Sequence, residues 1–569
     1  MHKLGLYYYT LKDLEPIQIK YRITYIFKRK LYEQIGSYIQ NRYTKKYKNT
    51  SIKLNLNKTM LINDRTYYFY DLEKVLENKI TFLNKEIAFG SHINWNKNEL
   101  NKGTKLWKLN LHYHDFLFDI ALKYKNTSEK KYFNYLETTI TEWIDKNPIG
   151  TKGYGGDNWN SYCLSLRIVS WVKIYLLLQE DFSDSFKERF IESLWIKGAF
   201  LYDNLELDIL GNHLIKNYKA LHYLGNFFQE KKYTNRAEKL YNNHIAEQFT
   251  SSGMHEELSP MYSAIILEDL IEVYLITKDK ALEQLIHKQY QVLSYLIGKD
   301  KKFTYFNDSI NKNGIEFTQL EELYFKVFPH KTIEKVPYSF NFEGYLGFEN
   351  NNEKLIFDAG DVVSGNQPGH GQCDALSFEY FRGEEKVFTN SGLYEYNGGE
   401  RRIYSRSTQA HNTLSFNNLE QSEIWSSFRM ARRAKVDFKL ETLDTSTLKI
   451  EGQVEGFNFN EKIIHKRKLI KKENQLQTID SVESSVQEDS QIFFHLMPPF
   501  LFKQEKNQLL IIKENLTIAS VEIDAPYLLT QTPLYPEFGK ELEKSTLVIQ
   551  HLTKMQPTTT TFTFLKEQL

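Results

Sequence analysis

Two cysteines in 569 residues are too few for a disulfide framework, and Cys163 and Cys373 have no zinc-binding spacing. Both read as free thiols. Excess charge is equally scarce: 73 basic side chains face 72 acidic ones, a formal net charge of +1. No overall field therefore recruits nucleic acid or an anionic membrane, and an anionic substrate must be met by local groups. No run of about eighteen uncharged apolar residues occurs, which argues against a membrane span. The opening stretch MHKLGLYYYTLKDLEPIQIKYRITYIFKRK has neither an apolar core of signal-peptide length nor a small-residue cleavage site. The expected location is the cytoplasm, with the periplasm or cell surface by another route as the alternative.

Aromatic residues are plentiful, at 15% of the chain, with 38 Tyr, 38 Phe and 7 Trp. They serve large aromatic cores, sugar-binding clefts in which flat rings stack on pyranose faces, or both. The length allows more than one domain, and 41% apolar residues suffice for substantial cores.

Hydrophobic periodicity divides the chain. Apolar residues recur at three- and four-residue steps over residues 109–124 and 161–178, and again over 213–228, 256–276 and 282–297. Helix after helix without an intervening strand predicts a helical array or toroid up to about residue 330. From residue 338 onward the texture becomes short alternating runs broken by turns, such as KLIFDAG, ALSFEYF, TLKIEGQV and TTTTFTFL, which predict a sandwich of antiparallel sheets. Helices and strands in separate blocks indicate an α+β multidomain chain, with a helical domain over 1–330 and a β-sandwich over 335–569.

Polar chemistry concentrates between residues 367 and 416, where His370 and His411, Tyr394 and Tyr396, and Arg401, Arg402 and Arg406 gather around glycine-rich turns. The arginines suit a substrate rich in carboxylate or sulfate, because a guanidinium fork pairs with both oxygens of such a group. A solvated loop with scattered charge is the plainer alternative. In the helical half, Asn212 and His213 stand at a helix start and read equally as a cap with a neighbouring histidine. Ser259 and Pro260 read as an N-cap and first helical residue, which puts Tyr262 in the first turn, either as a core tyrosine or as a phenol near the positive end of the helix dipole. His112, His114 and Asp115 offer metal-ligand types, but their helical spacing and aromatic neighbours favour a helix face. Tyr154, Gly155, Asp157, Asn158 and Trp159 form a glycine-rich loop in which Trp159 can stack on a sugar.

The segments PGHGQCDALSFE, NSGLYEY and AHNTL, in this order, resemble the core signature of the heparinase II/III-like polysaccharide lyases. The resemblance implies an incomplete (α/α) toroid followed by an antiparallel β-sandwich, with the active site in the cleft between them. GNH and ELSPMY look like the helical-domain motifs of that family. Carried over, they make Asn212 the ligand of a substrate carboxylate and place His213, Tyr262 and His370 among the catalytic groups. The family's structural zinc ligands fall on Gln372, Asn390 and His411, of which only the last is a good zinc ligand. No tight zinc site is expected, and these three residues are read as a hydrogen-bonded network that holds the loop.

The implied reaction is β-elimination at a uronic acid in an acidic polysaccharide or oligosaccharide, without a cofactor and in the context of a cell-surface polysaccharide. Asn212 and His370 would neutralise the carboxylate, and Tyr262 or His213 would take the proton. Two alternatives stand beside it. A glycoside hydrolase would draw two carboxylates from Glu256, Glu257 and Asp374, and a non-catalytic protein would bind a glycan during its assembly.

Overall fold

The structure is a computed structural model that describes residues 2–48, 50, 53–58, 68–95, 102–151, 157–332, 338–363, 365–442, 447–486, 489–552 and 557–565. Among the described residues the helical half is interrupted by one antiparallel hairpin, Lys79–Phe82 with Lys85–Ala88, which the reading of helices without an intervening strand misses, and the lasting change to strands falls between helix Phe317–Val327 and strand Ser339–Phe342. Helix Ser161–Leu178 shows why the early segments fold as they do. Asn160 caps it, its Oδ1 accepting the backbone N–H groups of Tyr162 and Cys163 at 3.1 and 3.3 Å. It is long and apolar enough to cross a membrane, but 83% of it is buried inside the fold, so it is a core helix. The single helix expected over 109–124 is two, Lys105–Tyr113 and Asp115–Thr127, broken at His114 (φ +65°). A left-handed residue stops the helical ladder, and periodicity does not reveal it.

The chain folds as two compact units that do not follow chain order. A strand-rich unit takes residues 1–14, 249–267 and 285–569, and a helical unit takes 15–248 and 268–284. Neighbouring helices of the helical unit pack on one another, Ser161–Leu178 against the following Asp184–Asp203 and against Asp115–Thr127 and Gly211–Phe227, each separated from it by one helix in the chain.

Among the described residues the strand-rich unit holds three large antiparallel sheets and a two-stranded one, Ile424–Ser426 with Arg429–Met430. One has eight strands, from Lys435–Thr442 at one edge to Leu501–Glu505 at the other, one has four and one has five. Strand Thr447–Glu455 alternates half-buried and buried residues along most of its length, as a sheet with one face on a core requires. All three sheets share one apolar core, in which Phe348, Leu448, Ile450, Phe494, Leu547 and Phe562 are fully buried. A second core joins the five-stranded sheet to helical segments. Ile356 packs with Met254, Leu258 and Leu296, while Leu355 and Phe357 on the same strand enter the main core. This second core carries the start of helix Pro260–Thr277, and with it Tyr262, into the strand-rich unit.

Candidate active site

Tyr262 is held by a rigid N-terminus. Ser259 Oγ accepts the Tyr262 N–H at 3.3 Å and donates to the Asp308 carbonyl at 2.9 Å. Ser309 Oγ accepts the Met261 N–H at 3.2 Å. The side chain is buried, its ring centroid is 4.0 Å from that of His370, and its hydroxyl oxygen is 2.7 Å from that of Tyr396. Burial first, and then the negative charge of Asp308, push the Tyr396 hydroxyl well above its ordinary value. Tyr396 therefore keeps its proton and can donate it to the Tyr262 oxygen, which favours negative charge there.

Asp308, which no motif marked, organises the other side. His370 Nδ1 donates to its Oδ2 at 3.1 Å, which fixes the ring and turns Nε2 away from Asp308. Arg402 donates to both carboxylate oxygens at 2.6 and 2.9 Å, and Gln372 Nε2 donates to Oδ1 at 2.8 Å. Burial alone would raise the Asp308 carboxyl, but the Arg402 guanidinium and the bonds from His370 and Arg402 outweigh it and hold the group well below the usual carboxylate range. The only sequence signal was Asn307-Asp308 at a turn, where Asn307 has φ +51°.

His411 Nδ1 donates to the Ser407 carbonyl at 2.9 Å, and its Nε2 lies 2.8 Å from Gln372 Oε1. Asn390 bonds elsewhere, donating to Ser377 Oγ at 3.3 Å and accepting the Asn412 N–H at 3.1 Å. One imidazole and two neutral amides do not fit zinc. Among the described residues no group of three or more His, Cys, Asp or Glu is arranged for a metal ion.

In the helical unit, Asn212 and His213 open helix Gly211–Phe227 after two positive-φ residues, Leu210 (φ +67°) and Gly211 (φ +55°). A leucine there stores about 1–3 kcal/mol of strain of a kind found at functional sites. Asn212 is buried. His213 is partly exposed, with Nδ1 3.0 Å from Glu206 Oε1 and its ring 4.5 Å from that of Tyr162. Glu206 is itself fixed by Asn217 Nδ2, at 3.0 Å, so the carboxylate orients the imidazole.

Several candidates sit differently from the pattern that suggested them. Arg402 is buried against Asp308. Arg406 is also buried, donating to the carbonyls of Gly371, Ser426 and Pro368. Both guanidinium forks are filled by the protein, so they hold the loop and do not face a substrate. Arg401 is exposed but pairs with Glu541 at 2.8 Å and lies over the half-buried Tyr394 ring at 4.3 Å. Trp159 is a core residue, buried against Phe200 and donating to the Asn147 carbonyl at 3.0 Å, so it offers no free stacking face. Tyr154 and Gly155 lie outside the described residues. The Nδ1 atoms of His112 and His114 accept the indole N–H groups of Trp143 and Trp171 at 3.2 and 2.9 Å, and burial pushes both imidazoles well down. They are structural acceptors. Asp374 is buried, accepts the Asn307 N–H at 2.7 Å, and is pushed up by burial to about 6.

Two family models cover most of the chain: Heparinase II/III N-terminus matches residues 16–334, and Heparinase II/III-like, C-terminal matches 337–561. A heparin-sulfate lyase of Bacteroides thetaiotaomicron is 23% identical over 401 residues, 61% of this chain and 57% of that protein. A heparin-sulfate lyase of Pedobacter heparinus is 25% identical over 370 residues, 58% of this chain and 54% of that one. The chain spans a little over half the length of these curated relatives. A crystal structure of heparinase III superposes with a TM-score of 0.72 at 18% identity, covering 90% of this chain and 85% of the other. That likeness shows the fold, an incomplete (α/α) toroid followed by an antiparallel β-sandwich.

Proposed function

We propose that this chain, which belongs to the heparinase II/III family, is a polysaccharide lyase that cleaves a uronic-acid-containing glycan by β-elimination. The observation that carries the proposal is the hydrogen bond between Tyr262 and Tyr396 beside a histidine held by a buried carboxylate. The proton beside a uronate carboxyl is weakly acidic, and its removal builds negative charge on that carboxyl. Tyr262 oxygen takes the proton from C5, the C4–O bond breaks, and the C5–H electron pair becomes the C4=C5 double bond. The tyrosine hydroxyl returns its proton to the departing glycosidic oxygen, so atoms and charge balance. Positioned acid–base groups of this kind contribute about 10²- to 10⁴-fold in rate.

Tyr396 supports the reaction by keeping its own proton and donating it to the Tyr262 oxygen. His370, turned by Asp308, is suited to hydrogen-bond the charge that develops on the carboxylate. Asn212 and His213 enter this reading through the sequence resemblance, as carboxylate ligand and as alternative base. The relatives' names, both heparin-sulfate lyases, favour an acidic polysaccharide as substrate. A hydrolase is less well supported, because Asp374 is buried and committed to a backbone N–H.

The test is incubation of the full chain with heparosan, heparan sulfate, hyaluronan and alginate, following the ultraviolet absorbance of the unsaturated uronate together with new reducing ends. Both signals should rise on at least one glycan and vanish in Tyr262→Phe. Reducing ends without the absorbance would replace elimination by hydrolysis.

A further inference from the structure

The near-neutral charge of the whole chain conceals one strongly basic element. Helix Pro16–Lys48 carries nine lysines and arginines against a single glutamate, Glu33. One face of it is fixed to the helical unit by Gln18, Tyr25, Tyr32, Gly36, Ile39 and Tyr43, which are buried at seven-, four- and three-residue steps. Gln18 donates to the Ile209 carbonyl at 3.0 Å and Tyr43 to Asp203 at 2.7 Å. Gly36 meets Gly150 so closely that a Cβ on it would lie 2.5 Å from the Gly150 Cα. The outward face is therefore set by the fold.

That outward face is apolar where a solvated helix would be polar. Ile19, Ile23, Phe27 and Leu31 follow at four-residue steps, joined by Ile26 and Tyr38, and all six are exposed, Phe27 to 70% and Ile23 to 53%. Lys20 and Lys30 are exposed among them, and Arg42 and Lys45 are exposed beyond a break in the helix at Ile35 (φ −115°, ψ 19°). An apolar stripe bordered by cations is the pattern of a helix lying in a membrane interface, and a contiguous exposed stripe of this kind marks an interaction site.

We infer that helix Pro16–Lys48 binds the surface of an anionic lipid bilayer, with the Ile19–Leu31 stripe (residues 19–31) entering the headgroup boundary and the flanking lysines pairing with lipid phosphates. The charge selects this occupant. A second copy of the same helix would bring another large positive charge against the first and repel it. An acidic glycan satisfies the lysines but gives the isoleucines, phenylalanine and leucine nothing apolar to bury against. An anionic bilayer meets both halves of the surface. The contact is a surface one and needs no spanning helix.

The test is co-sedimentation of the full chain with vesicles of phosphatidylcholine alone and of phosphatidylcholine with phosphatidylglycerol. Binding should be at least about tenfold stronger to the anionic vesicles and should weaken as salt is raised. Ile23→Asp with Phe27→Asp, and separately Lys20→Glu with Lys30→Glu, should each weaken it by at least about tenfold, while circular dichroism and glycan cleavage stay as in the parent. Absence of binding to anionic vesicles overturns the inference, as does binding that both variant pairs retain. A dimer in solution that Ile23→Asp with Phe27→Asp dissociates, without vesicle binding, would instead make this face a contact between copies.

Discussion

Arg402 and Arg167 are both buried, and their surroundings differ in kind. Arg402 faces the carboxylate of Asp308 with both ends of its fork. Arg167 donates to the carbonyls of His112 and Asn158 and lies 4.0 Å over the Trp143 ring. Near it Lys197 sits 3.7 Å over Trp171 and 4.6 Å over Trp143, with no carboxylate paired to it among the described residues. Burial pushes Arg167 down to about 9 and Lys197 well below its usual value. A buried cation paired with a carboxylate builds a fixed field, which here turns His370. One surrounded by aromatic rings and carbonyls is part of a core, and no reacting group is oriented by it.

The largest effect that would sharpen this contrast is expected from Asp308→Ala. It leaves Arg402 buried and unpaired, which should lower stability by about 3–5 kcal/mol, read by denaturant unfolding. The isosteric Asp308→Asn keeps the volume and should fold, yet lose kcat because His370 loses the carboxylate that holds its ring. An unchanged kcat would show that Asp308 does not position the site. Tyr396→Phe should fold normally and lower kcat about ten- to hundredfold, the worth of a hydrogen bond to a charged oxygen, about 1.5–3 kcal/mol.

Acid should separate the buried groups in two stages. Burial pushes His411 to about 3 and His255 and His222 to about 4. The unfolded chain, with histidine near 6.5, therefore binds more protons than the native one in this window. Stability from these groups is complete above about pH 6.5 and falls as pH drops toward 4. Asp308 is depressed instead, so its contribution persists above about pH 3.9 and is lost only below it. Calorimetry across pH 7 to 4 should show the first loss in the parent, and a thermal midpoint that stays level would contradict it. The smallest effect is expected from Lys197→Met, which replaces an ammonium facing tryptophans with an apolar chain of similar length. Stability should change by no more than about 1 kcal/mol or rise, and a large loss would show that the aromatic cluster depends on the charge.

The sequence made some of this legible for identifiable reasons. Helix Ser161–Leu178 and strand Thr447–Glu455 have local periodicities that their burial follows. Tyr262 and His370 stood out because each belongs to a short motif with a recognisable turn or cap. Asp308 did not, because its partners His370 and Arg402 are 62 and 94 residues away, and nothing local to an Asn-Asp turn records them. Residue type in polar or glycine-rich loops points Arg402, Arg406 and Trp159 at the substrate, whereas all three are buried. Local sequence does not show whether such a loop faces solvent or folds over its own carbonyls and carboxylates.

The most direct test of the central claim is the ultraviolet signal of the unsaturated product on uronate glycans, compared between the parent, Tyr262→Phe and Tyr396→Phe under identical conditions. The parent should give a clear rise, Tyr396→Phe a reduced rate and Tyr262→Phe no signal. A parent-like rate in Tyr262→Phe would contradict the claim.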